Sequence, residues 1–251
     1  MDVLAITQAR LGSSRLPQKV AKTILGQSLL EIHIKRVNKS KNIEQLLIAT
    51  TDSIDDDLII DIAKLINVPF FRGSTNNVLD RFYQAASMFK PSWVVRLTAD
   101  CPLIDSKIID DIIDCAKSKN VDYCSNTLNP TFPDGMDVEV FRFSALKRAW
   151  EESKLQSEKE HVTPYINKNS SYNNGKLFSS YSFERSISLA DIRLTVDEPV
   201  DFLVIKTIIE KMGLNEDWEK YAEFYLSNKD IARLNSDILR NEGYLNSLEK
   251  D

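Results

Sequence analysis

Three cations, Arg10, Arg15 and Lys19, fall within ten residues of one another in a chain whose formal net charge is −5. They lie in the stretch QARLGSSRLPQK, from Gln8 to Lys19, which also carries Ala9, Gly12, Ser13 and Ser14. Between a strand and a helix, such a loop can hold phosphate with its backbone N–H groups and basic side chains. The competing reading is an exposed basic loop. The stretch matches neither the Walker A pattern nor the glycine-rich dinucleotide fingerprint. Glycine is scarce, 7 in 251 residues, or roughly 3% against a usual value of about 7%. Gly12 in this loop and Gly135 in an expected tight turn are therefore worth locating.

Carboxylates supply the second half of the chemistry. Thr98-Ala99-Asp100-Cys101-Pro102 and Thr195-Val196-Asp197-Glu198-Pro199-Val200-Asp201 each place an aspartate just after an apolar run. Mg2+ is usually held by one or two carboxylates together with substrate phosphates, which makes Asp100 and Asp197 candidate metal residues. Either could instead cap the helix that follows. Asp105 is better placed than Asp100 for capping, whereas for Asp197, just ahead of Pro199, both readings stay open. A basic loop and two aspartates facing one crevice would have the parts for transferring a nucleotidyl group.

The elements that must position these residues alternate. Val3–Ile6, Leu46–Ala49, Pro69–Phe71 and Trp93–Leu97 read as strands. Ser28 with Glu31 makes a capping box, Asp55 to Ile66 an amphipathic helix, Asn77 to Phe89 another, and Asp105 opens a helix through Cys115. This is an α/β pattern with a mainly parallel sheet, and its ligands belong outside the carboxyl ends of the strands. Beyond about residue 120, Val138–Phe141 reads as a half-exposed strand and Lys176–Phe183 as another, both expected as antiparallel additions. Ile192–Val196 reads as a buried strand, Glu198-Pro199 as a helix start, and the chain from Trp218 onward as helical. Trp93, Trp150 and Trp218 read as core, and His33 as structural.

Composition narrows the function classes. Hydrophobic residues at 43% and charged residues at 27% are those of a globular protein. The negative charge and a pI near 5.3 argue against a nucleic-acid polymer as partner. Cys101, Cys115 and Cys124 lack the spacing of a zinc site or a disulfide framework. Apolar runs fall short of the roughly 18–20 residues of a membrane span, and Val3–Ile6 is too short for a signal peptide. A cytoplasmic protein without membrane insertion is expected.

QARLGSSRLPQK strongly resembles the signature of sugar-activating cytidylyltransferases, the family of the 3-deoxy-manno-octulosonate and acylneuraminate cytidylyltransferases. ATTDSIDDD, FFRGSTNNVLDRFYQAA, VVRLTADCPLID, SNTLNPTFPDGMDVEVF, SEKEHVTPYI, LTVDEPVDF and NEGYLNSLEKD resemble its spore-coat-polysaccharide-biosynthesis-protein-F branch. One departure is Gln18, where the family usually has glycine. The resemblance implies a single-domain, Rossmann-like nucleotidyltransferase fold over residues 1–251, often a homodimer. Its core sheet would lie in about 1–120 and 190–212, an acceptor and dimer region in about 121–189, and a helical tail in about 215–251.

By the same resemblance CTP lies on the first loop, Mg2+ is the cofactor, and a sugar or sugar acid attacks the α-phosphorus to expel pyrophosphate, in surface polysaccharide biosynthesis. Ala9, Arg10, Gly12, Ser13, Arg15 and Lys19 match the nucleotide loop, and Arg72, Ser74 and Arg81 a second nucleotide segment. Arg10, Lys19 and Asp100 match catalytic positions, and Asp100 and Asp197 the magnesium carboxylates. Asp134, Asp137, Glu139, Glu160 and His161 fall in segments near the acceptor. On residue type alone Asp134 and Asp137 could also belong to an ordinary hairpin, and His161 could be structural. A carboxylate-bearing acceptor would need a cation, with Arg142, Arg185 and Arg193 available. Alternatives are a phosphorylated sugar or polyol as acceptor, or a non-catalytic nucleotide-binding scaffold.

Overall fold

A computed structural model describes residues 1–249 and 251. The strands are β1 (Val3–Gln8), β2 (Thr23–Ile24), β3 (Gln27–Ser28), β4 (Gln45–Thr51), β5 (Phe70–Gly73), β6 (Trp93–Thr98), β7 (Tyr123–Ser125), β8 (Glu139–Arg142) and β9 (Ser180–Ser182). The helices are α1 (Leu29–Val37), α2 (Asp57–Leu65), α3 (Val78–Ser87), α4 (Ser106–Lys119), α5 (Phe143–Glu152), α6 (Gln156–His161), α7 (Pro164–Lys168), α8 (Pro199–Met212), α9 (Trp218–Ser227), α10 (Lys229–Ala232) and α11 (Glu242–Leu248). Seven strands form one sheet in the order β5-β4-β1-β6-β8-β7-β9, and β2 and β3 make a separate antiparallel pair.

The first four strands of that order are mutually parallel. β8 runs antiparallel to both β6 and β7, and β9 lies parallel to β7. Alternation along β1 serves two cores: Val3 and Ala5 face α1, α2, α4, α8 and α9, while Leu4 and Ile6 face α3, α5 and α7. Being buried on both faces, the strand needs a continuous apolar run, as expected for a covered parallel sheet.

The chain leaves β1 toward β4 on one side and returns to β6 on the other, which opens a crevice at the carboxyl ends of β1 and β6. Gln8 and Thr98 are register partners there. The loops after them, holding Arg10 to Lys19 and Asp100, therefore leave the sheet side by side.

Local signals at the helix starts hold. Glu31 N–H donates to Ser28 Oγ at 3.2 Å and Ser28 N–H to Glu31 Oε2 at 2.7 Å. Asp105 caps α4 by accepting from Lys107 N–H at 2.8 Å, which frees Asp100 from that role.

The second half departs from expectation in several places. β8 is buried rather than half-exposed, because strands flank it and helices cover both faces. Of the 176–183 stretch, Ser180–Ser182 joins the sheet, and it pairs parallel rather than antiparallel. Ile192–Val196 is buried but is not a sheet strand. Its hydrogen bonds go to loops: Ile192 O accepts from Asp134 N at 2.9 Å, and Val196 N donates to Asp100 O at 2.8 Å. The region after Trp218 breaks into α9, α10 and α11. Trp93 and Trp218 are core, whereas Trp150 is exposed, stacked on Tyr83 with ring centroids 4.2 Å apart, its indole N–H on Asp80. Among the described residues no helix is long and apolar enough to cross a membrane.

Candidate active site

The loop after β1 is pinned at its apolar residues and open at its small ones. Leu11 and Leu16 are buried, Leu11 N–H donates to Asp56 Oδ1 at 2.6 Å, and Gln18 N–H closes the loop on Leu11 O at 3.0 Å. Gly12 between them is exposed, and a Cβ there would meet nothing within 4 Å. Ala9 is buried, with its N–H on Ala49 O, and Ser13 Oγ accepts from Leu16 N–H at 3.4 Å. Gln18 adopts the left-handed conformation (φ 56°, ψ 26°) and turns the chain into a single 3-10 turn, Lys19–Ala21. That turn aims Lys19 back across the crevice.

Lys19 Nζ lies 3.0 Å from Asp100 Oδ2 and 2.8 Å from Asp197 Oδ1. Burial disfavours the Lys19 ammonium, but Asp100 and Asp197 overcome it and raise its pKa. Burial likewise works against the Asp100 carboxylate, and Lys19 and Thr98 reverse the effect, holding it well below the usual carboxylate range. Backbone contacts align the two aspartates: Asp100 O accepts from Val196 N and from Thr195 Oγ1 at 3.1 Å. Asp197 does not cap α8. Glu198 is the N-cap residue, and its N–H donates to Asp201 Oδ2 at 2.9 Å.

Arginines surround this centre. Arg15 reaches Asp197 at 3.3 Å, Glu198 at 3.4 Å and Glu242 of α11 at 2.8 Å. Arg193, buried, donates from Nε to Asp201 Oδ1 at 2.8 Å, from NH1 to Asp134 Oδ2 at 2.7 Å, and from NH2 to Asp197 Oδ2 at 3.1 Å. Its fork is consumed by aspartates. Arg142 stacks on Trp93 and faces Asp122, and Arg185 lies over Phe132 and Trp218.

Below the Asp100 turn, His33 Nδ1 donates to Cys101 O at 2.9 Å, and Nε2 accepts from Thr7 Oγ1 at 3.0 Å, because a carbonyl can only accept. Burial lowers the His33 pKa to about 4. The Cys101 thiol, pushed well above its ordinary value by burial and by Asp100, stays protonated.

Of the second segment expected near the nucleotide, Arg72 lies on β5, Ser74 just after it and Arg81 on α3. Arg10 is exposed, and its charge, after burial, lowers the Arg81 pKa to about 10. Arg81 is 1% exposed and donates to Ser74 O at 2.9 Å, while its Nε is buried without a partner. Ser74 Oγ accepts from Asn77 N–H at the start of α3. Arg72 is spent on Thr51 O, Ser53 O and Asp57.

The residues expected near the acceptor are held by different partners. Asp134 is held by Arg193, and Asp137 by Arg240, which also donates to Phe132 O at 3.0 Å. Burial and neighbouring carboxylates raise the Asp137 pKa despite Arg240. Glu139 is buried and engaged by Arg96, Tyr123 OH and Thr163 Oγ1. Glu160 lies half-buried on α6, and His161 meets Ser247 Oγ at 2.9 Å and the edge of Tyr244. Burial, then Arg96, lowers the His161 pKa to about 4.

A cytidylyltransferase family model matches residues 4–231. The chain belongs to that family. Among its relatives, an uncharacterized protein of Methanocaldococcus jannaschii is 36% identical over 241 residues, covering 95% of this chain and 96% of the relative. The spore coat polysaccharide biosynthesis protein SpsF of Bacillus subtilis is 34% identical over 232 residues, 86% of this chain and 90% of that protein. A cytidylyltransferase structure from Leptospira borgpetersenii superposes with a TM-score of 0.85 at 32% identity, covering 92% of this chain and 96% of the other. The protein is a CTP-dependent nucleotidyltransferase with the Rossmann-like fold of that family.

Several residues that organise this cytidylyltransferase were not singled out from sequence as site residues. Asp56, Asp201, Arg240 and Glu242 each hold a loop residue or a site residue. Asp201 carried a signal: three residues after Glu198, it stands where a capping carboxylate belongs. Arg240 and Glu242 lie beyond the family model's span and meet their partners only through the tertiary fold.

Proposed function

We propose that this enzyme transfers a cytidylyl group from CTP to a sugar or sugar acid, with Mg2+, releasing pyrophosphate in the biosynthesis of a surface polysaccharide. The observation that carries the reading is the convergence of Asp100 and Asp197 on the Lys19 ammonium beside a loop with Arg10 and Arg15. SpsF, by its name a polysaccharide biosynthesis protein, supports the acceptor class.

The donor set fits Mg2+. Asp100 and Asp197 converge on one cation, the Lys19 ammonium. A site with two carboxylates relies on substrate phosphates to complete it, as Mg2+ sites usually do. Asp100 and Asp197 would hold the ion, which supplies charge neutralisation at the phosphate oxygens when bound.

Lys19, Arg10 and Arg15 bind the triphosphate, and Gly12 and Ser13 give it close approach to the loop backbone. An acceptor hydroxyl gives up its proton to solvent and its oxygen forms a bond to the α-phosphorus as the bond to the bridging oxygen breaks, and pyrophosphate leaves with that electron pair. Charge builds on the leaving group, so preorganised cations lower the barrier without covalent catalysis. Asp134 and Asp137 face the acceptor. Pyrophosphate release with each nucleoside triphosphate, against a panel of sugar acids, sugar phosphates and polyol phosphates, tests the reading. Turnover with CTP and a sugar-type acceptor is expected. Turnover confined to phosphorylated acceptors would overturn the acceptor assignment.

A further inference from the structure

Asp197 has its two oxygens divided between the loop and Arg193. Oδ1 faces Lys19 and Arg15, and Oδ2 accepts from Arg193 NH2. The guanidinium that makes this bond is itself fixed. Asp201, 0% exposed, takes Nε at 2.8 Å and NH2 at 2.9 Å as a bidentate pair, and Asn235 Nδ2 holds Asp201 Oδ1 at 2.9 Å. Arg193 and Asp201 cancel in charge. What Arg193 gives Asp197 is therefore chiefly direction, from a planar fork that a lysine cannot reproduce.

The remaining nitrogen of that fork goes to the acceptor segment, where NH1 donates to Asp134 at 2.7 Å. The two segments also press together by backbone. Asp134 N donates to Ile192 O at 2.9 Å, and Leu194 N donates to Asp134 O at 2.7 Å. Gly135 has φ +105°, and a Cβ built on it would lie 2.6 Å from Leu194 C. A displacement of Asp134 is thus transmitted to Arg193 through both side chain and main chain.

We propose that Arg193 is a positioning residue that orients Asp197 for the metal-bound nucleotide and ties that orientation to the acceptor segment through Asp134. The proposal rests on the reading of Asp197 as a metal carboxylate. It gives the enzyme a physical link between its two substrates' sites, because whatever engages Asp134 also bears on the fork that aims Asp197.

The test uses no acceptor and no turnover. Calorimetric titration with CTP, in EDTA and in saturating Mg2+, gives the Mg2+-dependent gain in CTP affinity for each folded variant. Arg193→Lys should lose about tenfold of that gain, the scale on which partners of metal ligands act, and keep the wild-type affinity for CTP in EDTA. Asp134→Asn, which perturbs the rim of the network and serves if Arg193→Lys does not fold, should lose a smaller part of the gain. A purely structural Arg193 would lower the melting temperature of Arg193→Lys and leave the Mg2+ gain intact, and that result overturns the proposal. If Asp197→Asn loses the gain while Arg193→Lys and Asp134→Asn keep it, the proposal alone falls. If Asp197→Asn itself keeps the gain, the metal reading falls and takes the proposal with it.

Discussion

Lys19 Nζ lies 2.8 Å from Asp197 Oδ1 across a sequence separation of 178 residues, and this contact draws the first loop against the start of α8. With the 3.0 Å contact to Asp100, it makes Lys19 the counter-ion of two carboxylates that otherwise face each other. Lys19→Met leaves Asp100 without its cation, while Asp197 keeps Arg15 and Arg193. A loss of about 3 kcal/mol is expected, the low end for breaking a buried ion pair because the site is partly open to water. Urea unfolding measures it, and CTP should no longer raise the melting temperature of the variant as it does for a ligand-binding native state.

Asp100→Asn and Asp197→Asn keep shape and remove charge. Because Glu198 and Asp201, not Asp197, form the start of α8, neither change touches a helix cap. Both should fold and lose about a hundred- to a thousandfold in turnover, the scale of one strong electrostatic stabiliser at a reacting phosphate. Folded Asp197→Asn with near-normal turnover and unchanged Mg2+ dependence would reject the metal role.

The two histidines set an acid limit. Each has a folded-state pKa of about 4, below its ordinary value of 6.5, with burial as the first cause. At these two sites the unfolded chain therefore binds more protons than the native state between those values, so their contribution to stability falls as pH drops from 6.5 toward 4. The fully buried His33 can contribute on the order of 2–3 kcal/mol of this loss, since each pKa unit is about 1.4 kcal/mol. Asp100 and Lys19 act elsewhere. The depressed Asp100 pKa gives stability that is full above its unfolded value of 3.8 and is lost in stronger acid. The raised Lys19 pKa gives stability that is full below 10.5 and is lost in stronger base. Asp134, raised to about 7, and Asp137, also raised by burial, act with the opposite sign in this window, so the histidine part is read by difference: unfolding midpoints from pH 4 to 7 should rise less with pH in His33→Gln than in the wild type.

What could be read from the sequence was what local chemistry decides. The Ser28–Glu31 box, the Asp105 cap and the parallel strands after apolar runs need only neighbouring residues. The convergence of Lys19 and Asp100 was accessible because the loops after β1 and β6 share one sheet edge, whereas Asp197 follows a segment that is not a sheet strand and is brought there by the backbone bond from Val196 to Asp100. Ile192–Val196 misled because burial alone does not make a strand; its apolar residues fill the core while its backbone bonds to loops at Asp100 and Asp134. Arg193 looked available for an acceptor carboxylate and is instead consumed by three aspartates. No spacing rule connects residues 134, 193 and 240, so their partners emerge only once the chain has folded.

Gln18 gives the last prediction. Its φ of 56° lies in the left-handed region, and the structure keeps it there because Gln18 N–H must close the loop on Leu11 O just before Lys19 turns toward the carboxylates. A side chain in that conformation costs about 1–2 kcal/mol, whereas glycine adopts it freely at an unfolded-state entropy cost of about 0.5–1 kcal/mol. Gln18→Gly should therefore be neutral to mildly stabilising, by up to about 1 kcal/mol, and should leave CTP binding intact. Gln18→Val, β-branched and poorest in this region, should destabilise the loop and weaken CTP binding through Lys19. Calorimetry and thermal melting of the two variants measure both effects. Equal behaviour of glycine and valine would show that the turn before Lys19 is not set by the backbone conformation of residue 18.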